Sequence, residues 1–204
     1  VVSATEEHSQ ANMRRSRDQA MALVRTAREM AGDDGPVVNA GIAMAFGCSI
    51  TGNVDPDDVL RLAEDCLNAG ADIVGMADTV GYAGPSQVSE MCKRITAVCG
   101  DKPYIVHLHD TRGMGIANAA AALDAGCVVL DGSLAGLGGC PFAPGASGNV
   151  VFEDLVCGVS QQTIGPGLER RGIQFRVVEA IEAVAWPGLQ LRISVDGTEQ
   201  THDR

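Results

Sequence analysis

The stretch Tyr104-Ile105-Val106-His107-Leu108-His109-Asp110 decides how the chain folds. It is nearly all apolar and then turns polar, the pattern of a strand buried on both faces whose last residues emerge at an edge. After it, Ile116 to Ala125 carries helical spacing, and Val128 to Ser133 is again a short apolar run with a polar end. Before it, Ile73 to Ala77 reads as a strand and Pro85 to Val98 as a helix.

Further upstream, Val37 to Phe46 is an apolar run bounded by Asp33-Asp34-Gly35-Pro36 and Gly47, and it predicts a buried strand. Asp55-Pro56-Asp57-Asp58 then opens a helix with a capping Asp, Pro at the first position and acids in the positive first turn. That helix runs through Val59, Leu62, Ala63, Cys66 and Leu67 to Gly70. Thr5 to Ala31 predicts one helix, with Met13, Ala20, Leu23, Val24 and Ala27 at helical spacing and Gly32 as its stop. Strand starts recur about every 25–35 residues, which suits consecutive βα units and not hairpins. The polar residues Thr5, Cys48, Asp78, His107, His109 and Ser133 gather at strand C-terminal ends. In β/α barrels and doubly wound sheets that edge binds ligands.

Composition narrows the function classes. The 204 residues carry a formal net charge of −11 and few aromatics, so neither a phosphate-neutralising surface nor a base-stacking platform is expected, and nucleic acid is excluded as a partner. No long uncharged apolar run predicts a membrane span. Seven Cys in odd number and without a CxxC pair suit a reducing compartment, and no basic-then-apolar leader is visible, so a cytoplasmic location is expected. Residues 1–157 read as one α/β unit. Residues 158–204 read as an irregular tail, with a helix predicted over Phe175 to Trp186.

Three constellations carry chemistry. His107 and His109 are two apart on a strand, so their imidazoles project from one face, as either a pair of metal ligands or two histidines satisfied in the core. Gly136 to Asn149 packs five Gly and two Pro into a loop directly after a strand, with Cys140 at its tip and Asn149 at its end. As a lid it could bring Cys140 over a site while Asn149 offers an amide carbonyl to a metal; as a spacer it would do neither. The other six Cys fall in helix or strand patterns and read as core. In Ala77-Asp78-Thr79-Val80-Gly81, Asp78 either caps the next helix, although Gly84-Pro85-Ser86 already marks that start, or serves as a general base or supporting carboxylate, a reading with at least equal support.

Together these motifs resemble the hydroxymethylglutaryl-CoA lyase family. The carriers are Ser3-Ala4-Thr5-Glu6 with His8-Ser9, Phe46-Gly47-Cys48, Asp78-Thr79-Val80-Gly81, the run from His107 to Gly113, and the whole Gly136–Asn149 loop. The resemblance spans residues 1 to about 157 and fades over the tail. It implies an α/β fold of the (β/α) TIM-barrel type and a divalent-metal carbon–carbon lyase acting on a 3-hydroxyacyl-CoA. It implies His107, His109 and Asn149 as metal ligands for Mg²⁺ or Mn²⁺, Cys140 as proton donor and Asp78 as a catalytic-site carboxylate. An acyl-CoA substrate and a homodimer of the full-length protein are further implied. An Arg-Asp pair on the first strand and a glutamate on the second, which the resemblance also implies, have no match here. The expectation is therefore an incomplete barrel with its N-terminal strands missing, inactive by itself. Arg112 stands where many animal lyases have Tyr, and Ala77 where Gly precedes the Asp, which leaves the acyl group open. Arg14 and Arg15 could meet the CoA phosphates or simply lie on a solvated helix face. The alternatives are a 2-oxo-acid aldolase or Claisen condensing enzyme of the same superfamily, and a non-catalytic remnant.

Overall fold

The computed structural model describes residues 1–140, 145–163 and 174–177. Six strands, β1 (Val2–Ser3), β2 (Asn39–Ala43), β3 (Ile73–Asp78), β4 (Tyr104–Leu108), β5 (Val129–Gly132) and β6 (Gln174–Val177), form one sheet in which every neighbouring pair is parallel. Their spatial order is their chain order, with no reversal. A doubly wound sheet reverses its order at a switch point; a (β/α) barrel does not. The fold is of the barrel type, as the family resemblance implied.

Helices α2 (Arg17–Ala31), α3 (Pro56–Asn68), α4 (Pro85–Cys99), α5 (Gly115–Asp124) and α6 (Phe152–Thr163) follow the strands, after a single turn, α1 (Glu6–His8), behind β1. Asp55 caps α3 by accepting the Asp57 N–H, and Pro56 takes the first helical position, as the sequence predicted. Gly84 and Pro85 open α4 in the same way.

Four features differ from the expectations. The helix predicted from Thr5 to Ala31 breaks after α1 and a π-type turn at Ser9–Met13, because Arg14 takes a left-handed conformation at φ 53°. Helix α2 then restarts at Ser16, whose hydroxyl accepts the Gln19 N–H while the Gln19 side chain accepts the Ser16 N–H. The strand predicted to Phe46 stops at Ala43, since Met44 turns to φ 60° and its N–H is taken by Thr79 Oγ1 at 2.8 Å. The helix predicted from Phe175 begins as strand β6, in register with β5, and its remainder lies outside the described residues. Helix α6 runs across residue 157, where the tail was expected to start.

Alternation along the strands sorts the residues by face. Val74, Met76, Tyr104, Val106, Leu108 and Leu130 join the large core packed against helices, with Val59, Leu62, Cys66, Val88, Met91, Cys92, Ile95, Ala119, Ala122 and Leu123. Burying a side chain the size of Met76 or Leu108 contributes about 1.5–3 kcal/mol each. The opposite face carries a second, smaller cluster of Ile73, Ile105 and Val129. His107 and Asp131 lie two residues beyond Ile105 and Val129 on that face. Among the described residues no helix is long and apolar enough to cross a membrane.

Candidate active site

Strands β4 and β5 build the centre of the site. Their register sets His107 opposite Asp131, and the His107 Nδ1–H donates to Asp131 Oδ1 at 2.7 Å. That bond leaves the His107 Nε2 lone pair facing His109 Nε2 at 3.2 Å, with the two rings edge to face. His109 is buried, and burial, followed by its neighbour His107, pushes its pKa down to about 3 against the opposing pull of Asp131. The His109 imidazole is therefore held in the form that can donate a lone pair.

The glycine loop closes onto this pair at its base. Backbone pairing of His109 with Asn149, and the bond from Val150 N–H to Leu108 O at 2.9 Å, seat the end of the loop beside β4. The Asn149 N–H donates to Gly138 O at 3.1 Å and the Asp110 N–H to Gly148 O at 3.0 Å. Gly148 has φ 108°, and a Cβ there would lie 2.5 Å from Gly138 O and 2.6 Å from Gly136 O, so only glycine fits the closure. The Asn149 amide nitrogen donates to Leu137 O at 2.6 Å, while its carbonyl oxygen Oδ1 is buried with no hydrogen-bond partner among the described residues. His109 Nδ1 is in the same position.

The other end of the described loop reaches a different group. Cys140, partly buried, places Sγ 4.0 Å from His8 Nε2, across 132 residues of chain. His8 is fully buried at the end of α1, its Nδ1 is 2.9 Å from Ser3 Oγ on β1, and burial lowers its pKa. Pro141 to Pro144 lie outside the described residues.

Asp78 ends β3 on the helix-facing side, with Val74 and Met76, and is 1% exposed. Its Oδ1 accepts the Tyr82 N–H and its Oδ2 the Ala83 N–H, both at 3.1 Å. Burial raises its pKa, against the pull of those N–H groups, of the Gly81 N–H and of nearby His107. It thus braces the turn entering α4, and Asn118 helps by donating to Ala83 O at 3.0 Å. Above that turn, the Arg112 guanidinium stacks 4.1 Å over the Tyr82 ring. Arg14 and Arg15 are exposed.

So His107, His109 and Asn149 come together, and Cys140 joins His8 instead. Asp78 acts on the imidazole pair through its charge interaction with nearby His107. The sequence reading missed Asp131, although an acid inside the apolar run Val128 to Ser133 was a signal for it. It gave His8 no role of its own. Cys157, expected in the core, is exposed on α6.

A family model described as HMGL-like matches residues 1–183. The chain belongs to the HMGL-like family. Hydroxymethylglutaryl-CoA lyase YngG of Bacillus subtilis (strain 168) is 35% identical over 163 residues, which is 80% of this chain and 54% of that protein. (R)-Citramalyl-CoA lyase of Chloroflexus aurantiacus is 45% identical over 123 residues, 60% of this chain and 39% of that protein. The structure of an HMG-CoA lyase from Acinetobacter baumannii in complex with coenzyme A and 3-methylmalate superposes with a TM-score of 0.75 at 35% identity, covering 84% of this HMGL-like chain and 56% of that one. The chain spans about half, or less, of the length of these relatives.

The donor set suits a divalent cation. For bonds of about 2.1 Å, two nitrogens 3.2 Å apart could meet one ion at about 100°, near the angle of adjacent octahedral positions. The partnerless Asn149 carbonyl adds an oxygen donor of the kind hard cations take. Asp131 supplies the outer carboxylate that commonly orients a metal-binding imidazole. Among the described residues no group of three or more His, Cys, Asp or Glu is arranged to hold a metal ion, and the candidate protein donors are two imidazoles and one amide.

Proposed function

We propose that this HMGL-like protein is a divalent-metal-dependent carbon–carbon lyase that cleaves a 3-hydroxyacyl-CoA. Residues 1–204 contribute two imidazole ligands, one amide ligand and a cysteine-bearing lid. The observation that carries the reading is the approach of His107 Nε2 and His109 Nε2 to 3.2 Å, with Asn149 paired to His109 through the backbone and its carbonyl oxygen buried and without a partner among the described residues. The lyase chemistry comes from the relatives, two of which are named for hydroxymethylglutaryl-CoA and citramalyl-CoA. Both substrates are β-hydroxy thioesters with the same acetyl-CoA half.

Cleavage of such a thioester turns the hydroxyl-bearing carbon into a carbonyl as the hydroxyl proton leaves. The electrons of the broken carbon–carbon bond pass to the thioester side as an enolate, which must gain a proton to become acetyl-CoA. A divalent cation, Mg²⁺ or Mn²⁺, held by His107, His109 and Asn149 would lower the hydroxyl pKa and so favour its ionisation. Asp131 fixes the His107 ring through Nδ1–H. Asp78 keeps the β3–α4 turn in place and has both oxygens engaged in doing so. Cys140 is the proton donor to the enolate, and the loop that carries it excludes water from that carbanion. The hydroxyl proton lost and the carbon proton gained balance.

Calorimetric titration of the chain with MnCl₂ tests the site directly. Saturable binding that weakens at least about tenfold in His107→Ala and Asn149→Ala is expected, and no binding by the parent chain would sink the proposal. Acetyl-CoA release from hydroxymethylglutaryl-CoA against citramalyl-CoA, with Mg²⁺ present, separates the two acyl groups.

A further inference from the structure

Cys140 and His8 stand 4.0 Å apart, Sγ to Nε2, although the loop that brings them together starts after β5 and His8 sits just behind β1. Three features make this more than a chance approach. His8 is fully buried, and so is Ser3, whose Oγ lies 2.9 Å from the far ring nitrogen and so fixes the plane of the imidazole. Ser3 Oγ accepts the Thr5 N–H at 3.4 Å and keeps a second lone pair with which to accept the Nδ1–H. The tautomer with hydrogen on Nδ1 leaves a lone pair on Nε2, aimed at the one cysteine of the glycine loop.

We propose that His8 is the proton partner of Cys140, with Ser3 holding its Nδ1–H so that Nε2 exchanges a proton with the thiol. In that exchange the S–H bond breaks, both its electrons stay on sulfur, and an N–H bond forms on Nε2. A thiolate and an imidazolium 4.0 Å apart favour each other by about a thousandfold at the effective dielectric of a protein edge. Free side chains prefer the proton on sulfur by about a hundredfold. Burial of His8 works against the charged pair and offsets part of that gain. His8 is a positioning residue, acting on substrate only through Cys140. Its role in turnover rests on the lyase reading: sulfur gives its proton to the enolate, and the proton released by the substrate hydroxyl restores the pair.

The pairing itself is tested without substrate, so its failure is distinct from failure of the lyase reading. The chain is treated with iodoacetamide at pH 7, and the alkylation rate at each cysteine is read by peptide mapping. Exposed Cys157 serves as the reference thiol, and buried Cys66 and Cys92 report loss of fold. In His8→Gln the Cys140 rate relative to Cys157 should fall at least about fivefold, because the thiolate loses its imidazolium partner. A smaller fall, no change or a rise overturns the proposal. A rise is what a merely structural His8 predicts, since freeing the loop exposes the thiol. Should Cys66 and Cys92 become reactive in that variant, Ser3→Ala decides instead: a fall of about twofold or more at Cys140 supports the pairing and an unchanged or faster rate overturns it.

Discussion

Asp131→Asn is the sharpest test of how the imidazole pair is held. In the parent chain a buried carboxylate accepts the His107 Nδ1–H at 2.7 Å, so the bond is charge-assisted and short. Asparagine can keep an oxygen in the same place, but without charge, and charge-assisted bonds are roughly twice as strong as neutral ones. With about 1.5–3 kcal/mol for the charged bond, the substitution removes about 1–1.5 kcal/mol. If that free energy orients His107 for a cation, Mn²⁺ affinity falls about five- to tenfold. Asp131→Ala removes the acceptor altogether and should cost about ten- to a hundredfold, the usual range for an outer partner of a metal-binding histidine. The assay is calorimetric titration with MnCl₂, with urea denaturation of each variant alongside to show that it remains folded. Both folded variants binding Mn²⁺ within about twofold of the parent would refute the role given to Asp131.

Two further outcomes follow from other parts of the site. Gly148→Ala forces a methyl group against Gly138 O and Gly136 O at a positive φ, so stability should drop by about 2–3 kcal/mol or more in urea denaturation, and Mn²⁺ binding should weaken as Asn149 is displaced. An alanine variant as stable as the parent would show that the loop base is not closed in this way. His109 has its pKa lowered by burial to about 3, so it is neutral in the fold and protonates more readily in the unfolded chain. Its contribution is complete above about pH 6.5 and is lost as pH falls towards the folded value, at up to about 1.4 kcal/mol per pH unit. Urea midpoints measured from pH 7 down to pH 4.5 should decline, and His109→Gln should flatten the slope; an identical slope in that variant would contradict it.

The strands and the caps were legible because each is a local pattern. The apolar run of β4, the Asp55-Pro56 start of α3 and the Gly84-Pro85 start of α4 are short-range signals that the fold reproduces. The helix predicted through Arg14 failed for a reason that periodicity does not carry. Spacing of apolar residues across Thr5 to Ala31 is compatible with one helix, whereas the break rests on a single left-handed residue, Arg14, and a capping box that restarts the helix at Ser16. Of the site, His107 and His109 were legible from their two-residue spacing. Asp131 was visible only as an anomaly inside an apolar strand, since its meaning depends on which residue β4 sets across from it.

By itself the sequence determined that this is an alternating βα chain with a polar edge, and it named the side chains able to do chemistry there. Its motifs also pointed to the family, because a glycine loop carrying one Cys and ending in Asn is a specific string. Only the tertiary structure decided how those side chains combine. It placed His107 against Asp131, 24 residues away, and Cys140 against His8, 132 residues away. It also turned Asp78 to the helix-facing side, where the backbone of the next turn takes up both oxygens. The physical reason is that periodicity fixes which face a residue occupies on its own element, while partners on other elements follow from sheet register and loop closure.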